Sequence, residues 1–277
     1  MIYIAVALYC EAKPIIEYYQ LKKLYAEHPW QQFAAGDIRL IVTGTGPMQA
    51  AIGVASLLSR VNRNKRDLLI NVGIAGTAAM RLQVGRAVLC HKIVSRDTSH
   101  VYYPDVLIRH RFDEGVLETF SRPVTAADRQ FVQGELVDME AAGCLEAAKM
   151  FLAPHQTAVV KIVSDALESS VLSPERVSGL IAERIPDIDH FISSYRQAFS
   201  IRQDVLDETD EKWIEAVRSE LRLSETMAGQ LKQMAVQYKI RTGQPLDALR
   251  YDAGQAAESK QEGKMRFAQL RQQLLYE

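Results

Sequence analysis

The sequence predicts an α/β protein in two parts: a mainly parallel, twisted sheet flanked by helices over residues 1–203, and an all-α appendage over residues 204–277. Two observations carry this prediction. Through roughly the first 200 residues, short and nearly continuous apolar runs alternate with helical patterns. Strands read that way when helices cover both faces of a parallel sheet. From about Asp204 no strand-like run remains, and DETDEKWIEAVRSELRLSETMAGQLKQMAVQYKIRTG and DALRYDAGQAAESKQEGKMRFAQLRQQLLYE both keep a helical period.

In chain order, residues 2–8 form the first strand. The apolar opening MIYIAVALYC lacks a basic leading segment and Glu11 and Lys13 follow at once, so it reads as a buried strand and not as a signal peptide. Residues 13–25 are helical, with Pro14 near the first turn, where a missing N–H leaves no bond unmade. Residues 38–42 are a strand, and GTGPMQAAIGVASLLSR opens a helix at Pro47. Residues 68–72, 86–94, 116–120 and 135–138 follow as strands, residues 141–150 as an alanine-rich helix and 158–163 as the last strand. Residues 173–200 are helical with a break near Pro186, and Gly243-Gln244-Pro245 separates the two helical stretches of the appendage.

The bulk composition excludes several classes of function. A hydrophobic content of 48% with 24% charged residues is that of a soluble globular protein, and no apolar run is long enough to span a membrane. A net charge of −1 gives no electrostatic reason to expect nucleic acid or a membrane surface as partner. Cys10, Cys90 and Cys144 lie far apart in apolar company, which points to reduced thiols and a cytoplasmic protein, with no disulfide frame and no metal knuckle.

Ligands of open α/β sheets bind beyond the C-terminal ends of the strands, and that is where the chemistry-bearing residues fall. Glu11 follows the first strand; Gly44 and Gly46 in VTGTGPMQAA follow the second; Gly73 and Gly76 in INVGIAGTAA follow the third; Ser164-Asp165 in VVKIVSDALE follow the last. With Met139-Glu140 in VDMEAAG, three carboxylates meet one sheet edge. Each feature has a bland explanation. A lone Glu after a strand usually complements a helix dipole, and Ser-Asp is as often an N-cap as an acid. GTG and GIAG lack the spacing of a dinucleotide-binding turn. The joint placement favours a site. In SHVYYPDVLIRHRF, a metal site from His100, Asp105 and His110 does not fit one helical face, so the segment reads as a substrate- or subunit-facing loop. Packing or oligomerisation accounts for the helical appendage better than DNA reading, because glutamates run through it.

VTGTGPMQAA, INVGIAGTA, VGRAVL, VDMEAAG and VVKIVSD, in this order, resemble the purine nucleoside phosphorylase and uridine phosphorylase superfamily over about residues 1–200. The acid at Glu11 resembles its hydrolytic branch, the methylthioadenosine/S-adenosylhomocysteine nucleosidases and futalosine hydrolases. The resemblance implies a nucleoside phosphorylase-like fold, a small-molecule purine nucleoside as ligand, no cofactor or metal, and a homodimer. It also implies roles that suit N-glycosidic hydrolysis through an oxocarbenium-like sugar. Glu140 accepts the ribose 2′ and 3′ hydroxyls over Met139, Glu11 deprotonates the attacking water, and Asp165, oriented by Ser164, protonates the purine N7. Gly46, Gly73 and Ile74 line the ligand, and Phe120, Arg122, Pro123 and Val124 form the wall facing the base. One of three carboxylates in such a pocket should be hard to ionise.

Two departures from the family's pattern bear on the reaction. Ile74 stands where the family carries Ser or Thr, removing a hydroxyl that holds phosphate or water. Arg86 reads as a strand start and not as a phosphate clamp, which disfavours phosphorolysis. Three readings follow from the resemblance: a nucleosidase acting on a 5′-modified adenosine, a nucleoside-binding scaffold without turnover, and a phosphate-dependent phosphorylase.

Overall fold

A computed structural model describes residues 1–24, 29–59, 64, 66–167, 172–200, 205–249 and 256–276. The chain divides into two compact units, Met1–Phe199 and Ser200–Glu277. The expected junction at 203/204 lies outside the described residues.

The first unit is built on β1 (Ile2–Val6), β2 (Lys22–Lys23), β3 (Gln31–Ala35), β4 (Ile38–Val42), β5 (Leu68–Thr77), β6 (Ala87–Ser95), β7 (Val101–Tyr102), β8 (Asp113–Thr119), β9 (Leu136–Asp138) and β10 (Thr157–Asp165). Its helices are α1 (Tyr9–Tyr18), α2 (Pro47–Leu58), α3 (Ala141–Ala148), α4 (Pro174–Ala182) and α5 (Ile185–Ser200). Along β1, Ile2, Ile4 and Val6 pack on one core while Tyr3 and Ala5 pack on the other, the two-residue alternation of a strand buried on both faces. The first core takes in α1, α4 and α5; the second takes in α2 and α3.

β4, β1, β5 and β10 run parallel, and β6, β8 and β9 form a second parallel set. Antiparallel pairs β10–β6 and β5–β9 join the sets, so β5, β10, β6, β8 and β9 close a ring. β5 makes this possible by its length: its first half pairs with β1, and Gly76 and Thr77 pair with Val137 and Leu136 of β9.

Several elements differ from the sequence expectation for physical reasons. α1 starts at Tyr9 and ends at Tyr18, which puts Glu11 in its first turn and Pro14 in its interior. The proline leaves the Cys10 carbonyl without its helical donor, and the Ser178 hydroxyl of α4 donates to it at 2.6 Å. Residue 25, the expected end of that helix, lies outside the described residues. Gly73 and Gly76 lie within β5 and not in a turn after it, and Ser164 and Asp165 close β10. The edge strand β2 and its neighbour β3 have no apolar run to announce them.

The second unit packs α6 (Glu208–Glu220), α7 (Glu225–Thr242) and α8 (Lys260–Tyr276) around Ile214, Val217, Leu231, Phe267 and Leu270. Asp207 caps α6 through the amides of Thr209 and Asp210, and Gly243, at φ +67°, ends α7 where the Gly-Gln-Pro break was expected. No helix among the described residues is long and apolar enough to cross a membrane.

Candidate active site

A cavity of about 250 Å³ opens where β1, β5 and β10 end. Glu11, Ile74, Met139, Glu140, Ser164, Asp165 and Val124 line it, together with Thr45, Asp138, Arg122, Pro123 and Leu167. Three of the expected residues do not. The Gly46 amide reaches the cavity only through Glu140, while Thr45 takes the lining position. Gly73 stands behind Glu11: a Cβ there would sit 2.9 Å from Glu11 Oε1 and 3.5 Å from Lys161 Nζ, so only hydrogen fits. Phe120 is not on the cavity lining. Thr119 turns inward to Asp138, strand alternation sends the next side chain outward, and the Phe120 ring lies under the Arg96 guanidinium at 5.7 Å.

Glu11 is buried and almost fully hydrogen-bonded by backbone. Oε2 accepts the amides of Ala7 at 3.0 Å and Leu8 at 2.9 Å, and Oε1 accepts that of Ile74 at 2.9 Å. The first two bonds close the start of α1, the ordinary work of a first-turn glutamate. The third ties that turn to β5 and fixes the carboxylate at the floor of the cavity. Burial pushes its pKa up, against the Ile74 amide and the Lys161 charge, which pull it down.

Glu140 is also buried, yet it does not cap the helix it precedes. Asp138 does that, accepting the amides of Ala141 at 2.8 Å and Glu140 at 3.3 Å. Glu140 Oε1 instead accepts the Gly46 amide at the start of α2, at 2.9 Å, and Oε2 has no hydrogen bond among the described residues. Burial first and Asp138 second push the Glu140 carboxyl up to about 7, with Lys161 and the Gly46 amide opposing. The small residues after it serve packing: a Cβ on Gly143 would lie 1.9 Å from the Pro47 carbonyl oxygen, so α2 and α3 touch there.

Asp165 Oδ1 accepts the Leu167 amide at 2.8 Å, and the Ser164 hydroxyl lies 2.6 Å from Oδ2. Asp165 is therefore held at both oxygens on the cavity lining.

The group that sequence reasoning missed is Lys161. Its side chain is 1% exposed and its ammonium lies 2.8 Å from Asp138 Oδ2, while the Thr119 hydroxyl donates to Asp138 Oδ1 at 2.6 Å. Burial works against the ammonium, yet Asp138, Glu140 and Glu11 outweigh it and raise its pKa. A lysine inside the otherwise apolar TAVVKIVSD was the available signal, because buried lysines need partners.

Cations near the cavity are committed elsewhere. Arg122, on the wall, pairs with Asp128 at 2.6 and 3.1 Å, and Arg86 pairs with Asp113 at 2.8 and 2.9 Å, away from the cavity. His100 lies 3.7 Å from Glu146 and His110 3.5 Å from Glu114; no metal-holding cluster occurs among the described residues.

No family model and no curated protein sequence matches this chain. Solved structures do. A 5′-methylthioadenosine nucleosidase from Arabidopsis thaliana is 15% identical with a TM-score of 0.58, covering 69% of this chain and 95% of its own. A methylthioadenosine/S-adenosylhomocysteine nucleosidase from Colwellia psychrerythraea, in complex with adenine, is 18% identical with a TM-score of 0.56, covering 71% and 94%. Futalosine hydrolase of Helicobacter pylori is 15% identical with a TM-score of 0.54, covering 68% and 97%. This chain therefore carries the nucleoside phosphorylase-like α/β fold of these nucleosidases.

Proposed function

We propose that the protein hydrolyses the N-glycosidic bond of a purine nucleoside, a 5′-modified adenosine such as methylthioadenosine or S-adenosylhomocysteine. The observation that carries the reading is the convergence of Glu11, Glu140 and Asp165 on one cavity, each fixed by backbone amides. Glu140, with Oε2 open, accepts the ribose 2′ and 3′ hydroxyls while Met139 packs under the sugar. Glu11, on the lining of the same cavity, has its proton affinity raised, the condition for taking a proton from water. Asp165, oriented by Ser164, holds a proton at purine N7 so that the base leaves neutral. Glu11 and Glu140, when ionised, also favour the positive charge that develops on the sugar.

Hydrolysis is favoured over phosphorolysis because the one cation on the cavity lining, among the described residues, is Arg122, already bidentate to Asp128. The scaffold reading has its own support: Ile74 supplies only a backbone N–H, and Glu11 already holds three donors. Free, buried Cys90 and Cys144 support a cytoplasmic setting, and exposed Met48 and Ile52 on α2 support a homodimer. Assay of purified protein for free base from methylthioadenosine, S-adenosylhomocysteine and futalosine tests the proposal; base release supports it, and tight nucleoside binding without release gives the scaffold reading instead.

A further inference from the structure

We infer that Arg129 is a positioning residue that latches the β8–β9 connection to residues 166–167 beyond β10 and so aims Asp165; this rests on the hydrolase reading above. Asp165 stands where the β10–β5 pairing loses its register, between Val163 and Asp165. Beyond it the backbone turns sharply, with Leu167 at φ +62°. The Leu167 amide is what holds Asp165 Oδ1, and the buried Leu167 side chain lines the cavity over Gly76, where a Cβ would come within 2.8 Å of it. The direction of the carboxylate is thus written by the path of residues 166–167.

Among the described residues, one other hydrogen bond fixes that path. The Arg129 guanidinium donates to the Ala166 carbonyl at 3.1 Å. Arg129 belongs to the 3-10 turn Ala126–Phe131 in the β8–β9 connection, whose Arg122, Pro123 and Val124 form the facing wall. That connection is braced at both ends. Asp128 accepts the Thr125 amide at 3.0 Å and pairs with Arg122; Glu118 Oε1 accepts the amides of Gln133 at 3.2 Å and Gly134 at 3.0 Å; Arg96 donates to the Phe131 carbonyl at 3.3 Å. A braced wall can hold a turn at its neighbour's end, and Arg129 is the contact through which it does so. Because Arg129 is exposed, its bond adds little to global stability, and its effect falls on the geometry of Asp165.

The test uses Arg129→Ala and Arg129→Lys in the full chain. Leu167 amide exchange, measured without ligand, rises about tenfold in Arg129→Ala and returns toward wild type in Arg129→Lys. In the active enzyme kcat falls about tenfold in Arg129→Ala with KM within about twofold, because the ribose grip at Glu140 is untouched, and Arg129→Lys recovers most of the loss. Unchanged Leu167 exchange overturns the latch whether or not the wild type turns over. Faster exchange with unchanged kcat overturns the positioning role. If the wild type releases no base, the hydrolase reading fails separately, and Leu167 exchange alone decides the latch: faster exchange in Arg129→Ala upholds it, and unchanged exchange overturns it.

Discussion

The amide of Gly46 donates to Glu140 Oε1 at 2.9 Å across 94 positions of the chain. Gly46, at φ +96°, immediately precedes α2, so this bond seats the carboxylate at the positive end of that helix. Asp138 meanwhile caps α3 and pairs with Lys161. One oxygen of Glu140 positions the group and the other is left open to the cavity, which is the arrangement a diol acceptor needs.

Glu140→Gln keeps the shape and the Gly46 bond through its carbonyl oxygen but loses the charge that two hydroxyls would share. Nucleoside affinity by calorimetry is expected to fall about 10–100-fold, the range for hydrogen bonds to a charged group. Unchanged affinity would remove Glu140 from the ribose site.

The raised pKa of Glu140 gives two pH dependences of opposite sign. A carboxyl whose folded value stands at about 7, above its ordinary 4.5, takes up a proton on folding. Its ionisation therefore costs stability as pH rises through that window, and above about 7 the cost is fully present. Thermal melts should show Glu140→Gln gaining stability over wild type as pH rises across the window. Nucleoside binding should instead tighten over the same rise in wild type, and this slope should vanish in the variant.

On the roles proposed above, Glu11→Gln removes a proton acceptor and Asp165→Asn a proton holder, and neither empties the cavity. Each should keep nucleoside binding within a few-fold and lose about 100-fold or more in base release, the usual share of one acid–base group. Equal losses in binding and release would reassign them to ligand holding.

Lys161→Met leaves Asp138 buried without its cation, and Glu11 and Glu140 without a nearby positive charge. Chemical denaturation should show a loss of about 3–5 kcal/mol, the cost of breaking one partner from a buried pair. Pairing the change with Asp138→Asn should recover part of it, since the stranded charge is then gone.

Much of the candidate site was legible because the residues lining the cavity fall at ends of strongly apolar strands. VDMEAAG and VVKIVSD each show where a buried strand meets a polar residue, and Glu140, Ser164 and Asp165 follow directly. The Glu140 partner was not legible: a bond across 94 positions depends on β-strand order, and nothing local points from Glu140 to Gly46. Phe120 was misplaced because an aromatic after a strand suggests a base platform, whereas the side of the strand it faces is set by Thr119 bonding to Asp138. Gly73 and Gly76 looked like a turn, since glycine signals both turns and tight neighbours. Here the reason is Glu11 and Leu167 pressing on β5. The closed ring of strands was hidden because it depends on the antiparallel pairs β10–β6 and β5–β9, which no local pattern announces.

The most direct test of the central claim is release of free adenine from methylthioadenosine by the purified full chain, with and without inorganic phosphate. The expected products are adenine and methylthioribose, at a rate that phosphate does not change. Release only with phosphate, yielding a sugar phosphate, would contradict hydrolysis, and no release of base from any 5′-modified purine nucleoside would contradict catalysis at Glu11 and Asp165.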